Sequence, residues 1–429
     1  MTTSEFILQH RLSNPRDLAL QARRYPDVDM PYALNQIQGW QTARQKLPSW
    51  ASCDGVVYPP HLNMEQCSSE PTARYKQEVA LRWLNKLGVG HGGATTSMAD
   101  LTGGFGVDFS FTSRCFASAT YVERNSSLCD VVSGNLPRLG ISNANVVCAE
   151  AEDYLATMPQ QTMLFLDPAR RDEHGAKTVL MADCTPDVCR LLPQLMSKAR
   201  FVMLKLSPML DWHKAIADLK GTVDEVHIVS VGGECKELLL VLAGKVSVSS
   251  VDSGSLENGV RVYCVDIMPK AEADGEYKRS EFCYTIGGAA DNPPTLNPQP
   301  STLNSQLSTL NSQFLFEPNA SIMKAGCFAE LSQVYGVEAI GPNSHLFVSS
   351  GRVEQFPGRK FAIEAVCTLN KRQLKQTLGT LKQANIAVRN FPMSVAELRK
   401  RLKLRDGGDT YIFATTTMEG EHVLIICRK

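Results

Sequence analysis

Between Met98 and Leu242 short apolar runs alternate with longer mixed stretches, the pattern of strands separated by helices. Runs around Met98, Ala117 to Val122, Asn145 to Ala149, Thr162 to Leu166 and Phe201 to Lys205 predict buried strands. A helix near Trp212 to Leu219 and strands at Val226 to Val229 and Lys236 to Leu242 follow. Val231-Gly232-Gly233-Glu234-Cys235 links the last two by a turn too short for a parallel crossover, so they are expected to run antiparallel. Residues 1 to about 90 read as mainly helical, with breaks at Pro15, Pro26, Pro31, Pro48 and the Pro59-Pro60 pair. The tail alternates strand (Lys360 to Val366), helix (Lys371 to Gln383), strand (Ile386 to Arg389), helix (Ser394 to Lys403) and two strands near Tyr411 and Val423, a small α+β module.

One segment breaks the pattern. Ser301-Thr302-Leu303-Asn304-Ser305-Gln306 recurs as Ser308-Thr309-Leu310-Asn311-Ser312-Gln313, and so short a polar repeat buries no core; residues 292–313 read as a flexible insertion. A chain of 429 residues exceeds one core, and boundaries are expected at 1–90, 91–244, 245–356 and 357–429. Net charge is zero, yet from Pro357 onward fourteen Lys and Arg face six Asp and Glu, a candidate polyanion surface. Thirteen cysteines, with no C-x-x-C pair and no secretory signal, point to free thiols and a reducing, cytoplasmic setting. Neither these nor the eight scattered histidines suggest a metal site, and no apolar run suggests a membrane span.

The chemistry concentrates at Met98-Ala99-Asp100-Leu101-Thr102-Gly103-Gly104-Phe105-Gly106-Val107-Asp108, where a strand runs into three close glycines and then a helix. Glycines admit a ligand close to the backbone, and the helix start offers free N–H groups. About twenty residues on, Glu123 closes the next strand, placed to accept both hydroxyls of a ribose. Glu150 and Asp167 close two further strands, so four acids would meet beyond the carboxyl ends of an open sheet. The plainer alternative is that each acid caps the helix that follows it. A dinucleotide fingerprint would want glycine at Phe109 and rarely an acid at Asp100, which leaves NAD, and with it an oxidoreductase, as runner-up.

The ordered motifs LTGGFGVD, VERN, CAEAEDYL and LDPAR resemble class I S-adenosylmethionine-dependent methyltransferases, LDPAR being similar to the fourth motif of RNA methyltransferases. The resemblance implies a Rossmann-like methyltransferase core with a seven-stranded mixed sheet (91–244), an N-terminal helical region and small C-terminal α+β domains. It places Asp100, Gly103 and Gly106 around the methionine moiety, Glu123 at the ribose, Glu150 and Ala151 at the adenine, and Asp167 facing the methyl group, and it counts Thr102, Gly104, Phe105, Asp108 and Arg124 among the cofactor residues. Later markers, Phe316-Glu317-Pro318-Asn319, Pro342-Asn343-Ser344-His345 and Phe356-Pro357-Gly358-Arg359, resemble methyltransferases that carry a ferredoxin-like module (here 245–356) and a THUMP-like domain (357–429). THUMP domains accompany RNA-modifying enzymes, which implies an RNA partner, rRNA or tRNA. Lys371, Arg372, Lys375, Arg399, Lys400, Arg401, Lys403 and Arg405 are then the candidate phosphate contacts.

Candidate catalytic residues are Asp167, to orient or deprotonate the acceptor, Arg170, to hold a phosphate or base, and Lys205 at the fifth strand's end. The target atom stays open. Arg170 stands where amine methylases have an aromatic residue, and Lys205-Leu206-Ser207-Pro208 lacks the cysteine of 5-methyluridine enzymes. Lys76, Asp167, Lys205 and Glu237 together are similar to the tetrad of 2′-hydroxyl methyltransferases, the competing reading being that Lys205 only pairs with an acid. At Ser69-Glu70-Pro71 a helix start is preferred over a role for Ser68, Ser69 and Lys76 in lining the pocket. A binding protein that holds cofactor and RNA without turnover is the rival from another class.

Overall fold

The computed structural model describes residues 1–90, 95–170, 181–243, 259–271, 275–287 and 313–429. The chain divides into two compact units. One comprises Met1–Val231, Lys236–Leu256 and Pro269–Tyr277; the other comprises Gly232–Cys235, Glu257–Met268 and Lys278–Lys429. The repeat insertion at 292–313 falls outside the described residues except for Gln313.

The first unit opens with six helices, α1 Thr3–His10, α2 Pro15–Leu20, α3 Met30–Lys46, α4 Pro48–Ala51, α5 His61–Gln66 and α6 Glu70–Lys86. Pro15, Pro31 and Pro48 start helices, because the missing N–H of proline costs nothing in a first turn. Phe6, Leu18, Ala33 and Ile37 close a small core among the first helices.

A sheet follows, built from β1 Ser97–Asp100, β2 Ser118–Glu123, β3 Ala144–Cys148 and β4 Gln161–Leu166. After the two-residue strands β5 Ala169–Arg170 and β6 Cys184–Thr185, which pair with each other, come β7 Ala199–Leu206, β8 Val223–Val231 and β9 Glu234–Leu242. In space they run β8-β9-β7-β4-β1-β2-β3. β1 to β4 and β7 pair in parallel, whereas β9 lies antiparallel to β7. The reversal follows from the short link before β9, in which Gly232 and Gly233 take φ of 62° and 84°, accessible to glycine at no steric cost. Every residue of β4 is buried, as a central strand covered on both faces requires. The covering helices are α7 Val107–Thr112, α8 Ser126–Arg138, α9 Ala151–Thr157, α10 Val188–Lys198 and α11 Trp212–Asp218. Among the described residues the sheet counts nine strands rather than the seven expected, the further two being β10 Val260–Ala271 and β11 Tyr277–Ile286.

The second unit contains a seven-stranded sheet. Its strands are β12 Phe314–Pro318, β13 Glu338–Ala339, β14 Phe347–Ser349, β15 Gly358–Thr368, β16 Asn385–Arg389, β17 Thr410–Thr416 and β18 His422–Arg428, in the order β13-β14-β12-β15-β18-β17-β16. Helices α12 Ala320–Ala325, α13 Phe328–Tyr335, α14 Lys371–Leu378 and α15 Val395–Leu402 complete it. One cluster, with Leu315, Leu346, Phe361, Phe413 and Ile425, joins residues on both sides of Pro357, so the segments before and after it share a core. No helix among the described residues is long and apolar enough to cross a membrane.

Candidate functional site

A cleft of about 640 Å³ opens beyond the carboxyl ends of β1 to β4, in the size range of small-molecule sites. Its lining contains every cofactor residue read from the sequence: Asp100, Thr102, Gly103, Gly104, Phe105, Gly106, Asp108, Glu123, Arg124, Glu150, Ala151 and Asp167, with Lys205 beside them. Arg170 is placed by its backbone in β5, but its side chain lies outside the described residues.

The glycine turn is shaped by its neighbours. A Cβ on Gly103 would stand 2.1 Å from Tyr121 Cε2, so the turn lies flat on that ring only because the side chain is missing. Gly106 takes φ of 78° and caps α7 from the left-handed region. The Gly104 N–H donates to Glu123 Oε2 at 3.0 Å, and the Asn125 N–H donates to Oε1 at 2.9 Å. Phe105 packs edge-on against Trp50 at 4.9 Å, which ties the N-terminal helices to the turn.

Among the described residues, the side chains of Asp100, Glu123 and Glu150 do not cap the helices that follow them. Asn125 caps α8, Gly106 precedes α7, and Glu150 occupies the cap position of α9 without a side-chain bond. Asp100, only 1% exposed, accepts the Thr102 N–H at 3.0 Å. Burial pushes its carboxyl well above the usual range, against the Thr102 hydrogen bond and with the help of Asp108, Asp167 and Glu123. Thr102 Oγ1 also accepts the Asp167 N–H at 2.6 Å, so one residue ties two strand ends, through its backbone to Asp100 and its side chain to Asp167.

Lys205, at the end of β7, forms a close ion pair with Asp167 Oδ2. Burial alone would lower its pKa, but Asp167, Asp108 and Glu237 outweigh burial and hold the amine above its ordinary value. Lys205 is therefore a fixed cation. The related lysine behaves differently: Lys76 is fully buried, its ammonium 2.6 and 2.7 Å from the two Glu237 oxygens and 3.2 Å from Asp108 Oδ1. The tetrad foreseen from the sequence is thus two pairs, Lys205 with Asp167 in the cleft wall and Lys76 with Glu237 behind it, neither of the latter lining the cleft.

Helix α6 does begin at Ser69-Glu70-Pro71, but Ser69 makes no capping bond; its hydroxyl lies 3.3 Å from Thr72 Oγ1 instead. Ser68, the alternative set aside, lines the cleft and donates to Asp108 Oδ2 at 2.7 Å. Asn63, Gln66 and Cys67 join the lining from the N-terminal helices, and Lys236 from β9. Nothing in the local sequence marks these positions, since they reach the cleft through tertiary packing. Burial pushes the Cys67 thiol up to about 11, so it stays protonated.

In sum of charge the lining is acidic, with Asp100, Asp108, Glu123, Glu150, Glu152 and Asp167 against Arg124, Lys205 and Lys236. Such a cleft repels a diphosphate and attracts a cation. Within it Glu123 keeps lone pairs beyond its two backbone donors, and buried Asp108 Oδ1 has no aligned hydrogen bond among the described residues although Lys76 is 3.2 Å away.

In the second unit Lys371, Arg372, Lys375, Lys400, Arg401, Lys403 and Arg405 are exposed on and after α14 and α15. Arg399 is not available in the same way. It binds Asp406 Oδ1 at 2.6 Å and the Ala384 carbonyl at 3.2 Å, pinning α15 to its neighbours.

Residues 314–357 match the family described as a ferredoxin-like domain, and residues 358–429 the family described as THUMP domain-like. The solved structure of a candidate methyltransferase from Porphyromonas gingivalis W83 aligns with 100% of this chain and 97% of its own, at 27% identity and a TM-score of 0.78. An rRNA methylase from Streptococcus thermophilus aligns with 40% of this chain and 96% of its own, at 12% identity and a TM-score of 0.30. A candidate methyltransferase from Streptococcus mutans, in complex with SAH, covers 34% and 88% at 10% identity and a TM-score of 0.27. No curated protein matches the sequence. The chain is a protein of Rossmann-like methyltransferase fold that carries a ferredoxin-like and a THUMP-like domain at its C-terminus.

Proposed function

We propose that this chain is an S-adenosylmethionine-dependent methyltransferase acting on RNA, either rRNA or tRNA. The observation that carries the cofactor is the row of Asp100, Glu123, Glu150 and Asp167 at four strand ends around one acidic cleft. S-adenosylmethionine bears a net positive charge and supplies an electrophilic methyl group. Glu123, with Arg124 beside it, receives the ribose hydroxyls. Glu150 and Ala151 meet the adenine, while Asp100, Gly103, Gly106 and Asp108 flank the methionyl end. Thr102, Gly104 and Phe105 keep the turn in shape.

Positioning does much of the work in such a transfer. Asp167 orients the acceptor and takes its proton; Lys205, held cationic beside it, stabilises negative charge at that end of the cleft. Arg170 holds a phosphate or the target base. Support for RNA comes from the THUMP-like match at 358–429 and the exposed cations of α14 and α15.

Two measurements test this on the purified full chain. Calorimetry with S-adenosylmethionine and its demethylated product should give saturable heat, and absence of heat with both overturns the cofactor. Transfer of labelled methyl to total RNA should occur with the parent and fail with Asp167→Ala; cofactor binding without any transfer by the parent favours the non-catalytic binding protein.

A further inference from the structure

We infer that the C-terminal unit contains a phosphate-binding site made by Arg359 and Arg389 on the buried carboxylate of Glu317, and that its ligand is the phosphodiester backbone of an RNA strand. Glu317 in β12 is 5% exposed and lies opposite Arg359 of β15 in the ladder. Arg359 donates Nε to Glu317 Oε2 at 2.6 Å, with Nη2 also on that oxygen. Arg389, the last residue of β16, donates Nη2 to the other oxygen at 2.9 Å.

The second pairing is not a neighbour contact. β16 stands four places from β12 in the sheet, about 19 Å away if the sheet were flat. The sheet therefore curls, and the Pro342 loop fastens the closure: Asn390 Nδ2 donates to the Pro342 carbonyl at 2.7 Å, and the Met418 N–H to the Ile340 carbonyl at 3.1 Å.

One carboxylate needs one guanidinium for neutrality, so this cluster holds a surplus positive charge. Both arginines keep outward surface, 48% and 40% exposed, and Arg389 Nε is buried with no partner among the described residues. An unmet buried donor is costly, and an anion seated between the two forks would draw on the donors that Glu317 leaves free. Arg359 is further fixed by lying 5.4 Å over the Phe361 ring. His345 borders Arg389 with its ring stacked on Phe328 at 4.6 Å; burial and then the Arg389 charge hold its pKa below the ordinary value, so it offers a neutral imidazole at neutral pH. Two preset forks match the oxygens of a phosphate, which Arg engages bidentately.

This site rests on the RNA reading above and adds residues that lie outside the exposed helix cations. The test uses the full chain, a fluorescein-labelled single-stranded RNA and a salt series. Arg359→Gln and Arg389→Gln should each weaken binding about tenfold and lower the log-log salt slope by roughly 0.7, with S-adenosylmethionine affinity at the parental value. If the parent binds RNA while both variants, shown folded by circular dichroism, keep parental affinity and slope, the site is overturned and the RNA reading stands. A parent that binds no RNA overturns both. Where a glutamine variant does not fold, the lysine variant decides: weaker binding supports the fork, parental binding overturns it.

Discussion

Lys76 and Glu237, 161 residues apart in sequence, face each other in the interior with both carboxylate oxygens within 2.7 Å of one ammonium. Glu237 is 2% exposed, and burial raises its pKa while Lys76 and Lys205 oppose the rise. Charges so far from water are tolerated only in company. The pair also fixes Asp108, which Lys76 meets at 3.2 Å, and so braces one wall of the cleft from behind.

Breaking that pair should therefore be expensive. Lys76→Met leaves Glu237 without its nearest cation and should cost about 3–5 kcal/mol in urea unfolding, whereas Lys76→Met with Glu237→Leu should recover most of it. Equal destabilisation of the single and double variants would show that packing, and not charge, dominates there.

Under the proposed mechanism Asp167 faces the methyl group, and its side chain is 37% exposed. Asp167→Asn should lower methyl transfer by about 10²- to 10⁴-fold while calorimetric affinity for S-adenosylmethionine stays near the parental value. A parallel fall in both would move Asp167 from chemistry to binding.

Asp100 makes stability depend on pH in an unusual direction. Its folded pKa is raised, so the folded chain holds this proton more tightly than the unfolded one. Stability contributed by Asp100 is then full below the ordinary aspartate value near 3.9, falls as pH rises through the interval up to the raised folded value, and stays lower above it. Asp100→Asn should raise the Tm at pH 7 and flatten that fall. A cationic ligand would favour the ionised carboxylate, so binding in that interval should release protons, read as heats that differ between buffers.

Gly103→Ala should push a methyl into the Tyr121 ring, where the Cβ has 2.1 Å of room. The drop in stability should be about 1–3 kcal/mol, together with weaker cofactor binding because the turn must shift. Chemical denaturation and calorimetry on the same variant read both effects.

For the helix cations, reversing Lys400 and Arg401 should reduce the slope of RNA affinity against salt by roughly 0.7 for each phosphate that the variant no longer neutralises. Arg399→Ala should act differently, lowering stability through Asp406 and Ala384. An unchanged slope in the double reversal would remove α15 from the RNA surface.

Much of the cleft was legible because its signals are local. A strand that ends in an acid, a turn whose glycines sit between Asp100 and Asp108, and a link too short for a parallel crossover before β9 each depend on a few adjacent residues. The alternating pattern likewise marked the elements of the tail. It did not show that segments on both sides of Pro357 share one core, nor that β10 and β11 extend the strand count to nine.

What the sequence determined by itself was which elements form and which carboxylates end them, since backbone propensity and side-chain period act over short distances. Tertiary structure alone decided that Lys76 belongs to Glu237 and Lys205 to Asp167, that Ser68 reaches the cleft, and that Arg389 crosses a curled sheet to Glu317. Those partners are chosen by packing and desolvation among residues distant along the chain, and a buried charge takes whichever counter-charge the closed fold brings within reach.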